Sequence, residues 1–188
     1  MDEIGATVVA VYMRCLFDVL KVANMVNMIG LVDPAQVSAN SGSLTQRSHL
    51  LANRLQKTDG ERIFFMPYNP GYCILNCLTS IFILCCRHWV LVIVRAKKET
   101  VYFLDPLPGN RVVDDKCKNI VNTQGRKVLI WKTLQGTPKQ PSNVECGYYV
   151  MHFMRDIIID PSLEFEKKGD GKWKYRHLNG YTTTGFSL

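Results

Sequence analysis

Residues 88–106 read His-Trp-Val-Leu-Val-Ile-Val-Arg-Ala-Lys-Lys-Glu-Thr-Val-Tyr-Phe-Leu-Asp-Pro, and this stretch decides the fold. His88 to Val94 is a short apolar run rich in β-branched residues, the pattern of a buried strand. Arg95 to Lys98 supply a polar turn, and Thr100 to Leu104 return as a second strand that ends at Asp105-Pro106. Two antiparallel strands joined in this way set the start of the first beside the end of the second. His88 and Asp105 would then lie side by side.

Upstream, Ile63 to Met66 read as a short strand closed by Pro67, and Asn69-Pro70-Gly71 as a turn. Residues 7–29 are densely apolar at helical spacing, with Gly30 and Asp33-Pro34 as the stop. Residues 35–43 are rich in Ser, Asn and Gly and read as a loop. Residues 44–57 suit a second helix with Leu44, Leu50, Leu51 and Leu55 inward. Downstream, the pattern predicts a helix over 110–123, a strand over 128–131, a loop over 138–143 and a helix from Cys146 to Ile159 that stops at Asp160-Pro161. Helices, then strands, then a helix argue an α+β domain. No internal repeat is present.

The 188 residues are 47% hydrophobic and 21% charged, which is globular composition and excludes a broadly disordered chain. The seven cysteines are odd in number and irregularly spaced, and Met1-Asp2-Glu3 lacks the basic start of a secretory signal. Free thiols in a reducing compartment are the expectation. The net charge of +7 falls entirely in the second half: residues 1–86 carry six basic and six acidic side chains, and residues 87–188 carry 17 basic against 10 acidic. The basic residues are scattered rather than clustered, so a solvated surface is expected before a nucleic-acid site. Arg14, Asp18 and Lys21 interrupt the first apolar stretch, which excludes a membrane span there.

Three side chains stand out for chemistry. Cys146, within Glu145-Cys146-Gly147, starts an apolar helix, where unpaired backbone N–H groups favour a thiolate. An imidazole from His88 would take up the thiol proton, and Asp105 would fix the tautomer of that imidazole. Gln140 stands in a Gln-x5-Cys spacing and offers a side-chain N–H, which with the backbone N–H of Cys146 could form an oxyanion hole. Gly147 leaves room for a substrate carbonyl. Each residue also has a plainer reading. A buried cysteine beside aromatics is ordinarily core, His88 can be a hydrogen-bonded strand-end residue, and Asp105 can simply open a turn before Pro106. Asp114 and Asp115 are rival acids on a polar helix, and His152 falls on the wrong helical face to pair with Cys146.

Together, His88-Trp89, the Tyr102 to Leu107 strand end and Gln140 to Val150 resemble the ubiquitin-like-protein-specific cysteine peptidases, the SUMO-protease family. The resemblance is closest to divergent members carried by plant transposable elements, whose Pro-Tyr-Asn-Pro-Gly loop is similar to Pro67 to Gly71. It implies a papain-like α+β fold with a central mixed sheet flanked by helices. It implies cleavage after the Gly-Gly end of a ubiquitin-like modifier, in deconjugation or in processing. Carried over by position, Cys146 is the nucleophile, His88 the general base, Asp105 the orienter and Gln140 the oxyanion donor. Trp89 is similar to the family tryptophan that walls a narrow glycine tunnel. No metal or cofactor is implied. The implied partner is SUMO or a related modifier and its conjugates, met by a monomer in the nucleus or cytoplasm, with no membrane involved; a nucleic-acid accessory protein using the basic half is a weaker, third reading. The rival reading is a catalytically silent, transposon-derived remnant that at most binds a ubiquitin-like protein.

The chain departs from that pattern at residues 72–87, Tyr-Cys-Ile-Leu-Asn-Cys-Leu-Thr-Ser-Ile-Phe-Ile-Leu-Cys-Cys-Arg. In the relatives, the flanking segments are nearly adjacent. The insert reads as translated intron, since Gly71-Tyr72 can span a GT donor and Cys86-Arg87 an AG acceptor. It is too short for a membrane span, and its cysteines lack zinc-ligand spacing. It is expected to lower stability and to displace His88. The resemblance assigns residues 1–160 to the catalytic domain, lacking its N-terminal substrate-binding part, and leaves 161–188 as a basic, flexible tail.

Overall fold

In a computed structural model of the protein, the residues described are 4–38, 42–56, 61–71, 88–108, 113, 115–122, 129–134, 136–142, 144–160, 162–167 and 173. Helix α1 (Ala6–Val22) is followed by strand β1 (Ile29–Leu31), helices α2 (Pro34–Val37) and α3 (Leu44–Gln56), and strands β2 (Ile63–Tyr68), β3 (Val90–Arg95) and β4 (Thr100–Leu104). Helix α4 (Asp115–Val121), strand β5 (Ile130–Thr133) and helix α5 (Cys146–Ile158) complete the order, with a short 3-10 turn at Phe165–Lys167.

Among the described residues, five strands form one mixed sheet in the order β1-β2-β3-β4-β5. The β2–β3 and β3–β4 pairs are antiparallel, and β1 and β5 add parallel strands at the edges. Every residue of β2 and β4, and all of β3 but Arg95, is buried. The alternation of a strand sends their side chains into two cores. Phe65, Leu91, Ile93, Tyr102 and Leu104 meet α1 and α5 on one face. Phe64, Met66, Val90, Val92, Val101 and Phe103 meet α2, α3 and α4 on the other. The α+β architecture with a helix-flanked mixed sheet is the expected one.

Several boundaries differ from expectation. The first helix stops at Val22, because Asn24 adopts a left-handed conformation (φ 57°) that an L-residue cannot repeat along a helix. Residues 29–31 therefore leave the helix and pair with β2. Asp33-Pro34 begins an element rather than ending one: the Asp33 carboxylate accepts from the Ala35 N–H at 2.8 Å, with Pro34 at the first helical position. In α3, Leu50 is exposed, and Arg47 turns inward to donate to the carbonyls of Val37 and Ser38. Strand β2 runs through Pro67, opposite Leu91. Its residues face β1 and β3 alternately, and Ile63 and Phe65 face β1. The missing N–H of Pro67 thus points to the side on which β1 has already ended.

The stretch beyond residue 160 contributes to the core. Leu163, Phe165 and Trp173 are buried, and Trp173 packs edge-on to Phe153. Arg95 and Tyr102 both grip the Glu166 carboxylate, at 2.9 and 3.0 Å, and fasten the 3-10 turn to the sheet. The packed unit therefore extends past the expected boundary at 160, because these apolar side chains cover the open end of the α5 layer. The remainder of the expected tail lies outside the described residues, as do the insert at 72–87 and Asp114.

Candidate active site

Three elements converge on the site. His88 and Trp89 lead into β3, Asp105 follows the last residue of β4, and Cys146 is the first residue of α5. The β3–β4 register, with Leu91 opposite Leu104, sets His88 and Asp105 at the same end of the hairpin. His88 Nε2 lies 2.7 Å from Asp105 Oδ1, with both side chains buried. The same carboxylate oxygen accepts the Leu107 N–H at 2.8 Å, so Asp105 both opens its turn and holds the imidazole. The displacement of His88 expected from the insert does not occur. Tyr68 pairs with Val90 at the end of the β2–β3 ladder.

Burial disfavours a charged imidazole, but the hydrogen bond to Asp105 and the side-chain interaction with Cys146 outweigh it. The His88 pKa is held above the ordinary histidine value. Nε2 is committed to Asp105, and Nδ1 is buried without a hydrogen bond of good geometry. Nδ1 is therefore the nitrogen left for the thiol. Cys146 is itself buried, and the Glu145 side chain does not cap the helix.

Gln140 is buried beside the Asp105 turn. Its backbone N–H donates to the Pro106 carbonyl at 2.7 Å, and the neighbouring Lys139 ammonium donates to the Asp105 carbonyl at 2.8 Å. One of its two amide N–H groups is engaged by the Ser142 carbonyl. The second is the donor an oxyanion would need.

Trp89 and Gly147 meet through a residue that the sequence did not single out. The Trp89 indole N–H donates to the Ile4 carbonyl at 2.8 Å. A Cβ built on Gly147 would lie 2.7 Å from Ile4 Cβ and 3.3 Å from Trp89 Cδ1. The room that Gly147 leaves is thus taken up by Ile4. An isoleucine before a helix carries no sequence signal of such a place. His152 stands on α5 away from the pair and, being partly buried, has a lowered pKa. Asp115 is exposed, near Lys118.

Residues 75–175 match the Ulp1 protease family, C-terminal catalytic domain. The chain belongs to the Ulp1 protease family. The matched segment is that family's C-terminal catalytic domain. Among solved structures, a de-sumoylating protease shares 14% identity over 87% of this chain and 64% of its own, with a TM-score of 0.61. The Xanthomonas campestris effector XopD bound to ubiquitin shares 16% identity over 84% of this chain and 75% of its own, with a TM-score of 0.58. The SUMO protease Ulp1 with its catalytic cysteine oxidised to a sulfenic acid shares 16% over 93% of this chain and 70% of its own, with a TM-score of 0.53. The chain therefore spans just under two thirds of the length of the first of these. At such identities the likeness is one of fold. No curated protein sequence matches the chain.

Proposed function

We propose that this Ulp1-family domain cleaves after the Gly-Gly end of a ubiquitin-like modifier of the SUMO type, in deconjugation or precursor trimming. The observation that carries the reading is the buried His88–Asp105 pair at 2.7 Å beside Cys146 at the head of α5. The Cys146 thiol passes its proton to His88 Nδ1, and the sulfur attacks the glycine carbonyl carbon. Negative charge on the carbonyl oxygen is met by the second Gln140 N–H and the backbone N–H of Cys146. The bond to the leaving amine breaks as His88 returns the proton to it. Water, deprotonated by His88, then hydrolyses the thioester and restores the thiol. Asp105 keeps the imidazole in the tautomer with Nδ1 unprotonated. Trp89, 2% exposed, backs the glycine site rather than lining it openly.

The Pro67 to Gly71 loop supports kinship with the transposon-borne plant members. Family habit supports the nucleus or cytoplasm as the place of action.

Covalent capture tests the reading. The chain and its Cys146→Ala variant are incubated with SUMO carrying an electrophile at its C-terminal glycine. An adduct on the parent alone is expected. A folded parent that forms none refutes the peptidase reading and leaves a binding module.

A further inference from the structure

We infer that Ile4 is a positioning residue that sets the approach of Cys146 to His88, by wedging between Trp89, next to the base, and Gly147, next to the nucleophile. The inference rests on the proposed roles of Cys146 and His88. Ile4 is buried, 6% exposed. Its carbonyl holds the Trp89 indole at 2.8 Å, which fixes the ring plane of the residue bonded to His88. Its side chain presses on the backbone of Gly147, where Cβ and Cγ2 would stand 2.7 and 3.1 Å from any added methyl group. Trp89 Cδ1 reaches the same point at 3.3 Å. The two strand and helix ends that carry the chemistry therefore meet through one side chain from a third segment. The β3–β4 ladder fixes His88 relative to Asp105, but α5 belongs to the helical layer and shares no ladder with β3. A packed contact must set that distance, and close packing transmits small changes of volume.

The distance is readable without a substrate. In protein labelled with 13C-histidine, the His88 titration is followed in the parent and in Cys146→Ala; the difference between the two is the thiol–imidazole coupling. Ile4→Ala, measured with and without Cys146→Ala, should reduce that difference to less than about half. Ile4→Val keeps both Cβ and Cγ2 and should restore most of it. With a SUMO precursor, Ile4→Ala should lower kcat by about 10- to 100-fold with little change in KM. Coupling unchanged in folded Ile4→Ala overturns the inference, as does equal loss in Ile4→Val. Should Ile4→Ala fail to fold, Trp89→Phe removes the indole N–H to Ile4 together with part of the buried ring, and must show the same reduced coupling. A parent whose His88 titration ignores Cys146→Ala sinks the proposed pair itself, an outcome distinct from a defect confined to the Ile4 variants.

Discussion

One carboxylate oxygen of Asp105 serves two donors, the imidazole of His88 at 2.7 Å and the backbone N–H of Leu107 at 2.8 Å. Asp105→Asn keeps the shape but presents an amide that can hold the wrong tautomer. We expect kcat on a SUMO precursor to fall by about 10²- to 10⁴-fold with the fold intact. Asp105→Ala additionally strips the Leu107 N–H of its partner and should cost about 1–3 kcal/mol in urea unfolding. Equal stability of the two variants would refute the second role.

The raised His88 pKa carries a definite sign. A group that binds its proton more tightly in the folded state adds stability below its unfolded pKa, near 6.5. That contribution fades as pH rises through the higher folded value. The stability advantage of the parent over His88→Gln should therefore be larger at pH 6 than at pH 9, as read from paired urea melts. An advantage that grows with pH would contradict the direction of the shift.

Gly147→Ala brings a methyl group within 2.7 Å of Ile4 Cβ. Neither the α5 backbone nor the buried Ile4 can yield freely, so overpacking should cost about 1–3 kcal/mol. A thermal melt would show this directly. An unchanged melting temperature would mean that the N-terminal segment can shift at no cost.

Asn24 ends α1 in a left-handed conformation with φ of 57°. Asn24→Ala should destabilise by about 1–2 kcal/mol, since a Cβ there meets the following carbonyl and alanine lacks the local tolerance of asparagine. Asn24→Gly should be neutral or better. Comparing the two by denaturant midpoint isolates the backbone effect.

Tyr68 pairs with Val90 across the mouth of the β2–β3 hairpin. Excising residues 72–87 leaves Asn69, Pro70, Gly71, His88 and Trp89 to make the connection, a length common in hairpins. Closing a shorter loop changes the entropy only slowly. We expect the excised protein to keep its fold and the His88–Asp105 coupling, seen as an unaltered His88 titration. Collapse of that titration would show that the segment supports the site.

The central strands and α5 were legible because their signals are local. Apolar runs bounded by Arg95–Lys98 and Asp105-Pro106 admit few alternatives, and the separation of His88 and Asp105 along one hairpin follows from antiparallel pairing alone. The fate of residues 29–31 was not legible, since the apolar text continues past Val22 and only the backbone of Asn24 interrupts it. Pro67 misled for a similar reason: whether a proline ends a strand depends on which neighbour its nitrogen faces. Leu163, Phe165 and Trp173 sit in polar surroundings in the sequence, and only the exposed end of the α5 layer recruits them. Ile4 belongs to this second group. Its importance lies in partners far along the chain.

That separation has a consequence in time. Ile4 leaves the ribosome roughly 140 residues ahead of Gly147, an interval of about 7–30 s at ordinary synthesis rates. Until α5 has emerged, Ile4 has no Gly147 to pack against. A nascent chain thus carries His88 and Asp105 well before the Cys146 end of the proposed site exists. The order of synthesis itself delays assembly of the proposed site until nearly all of the core has been made.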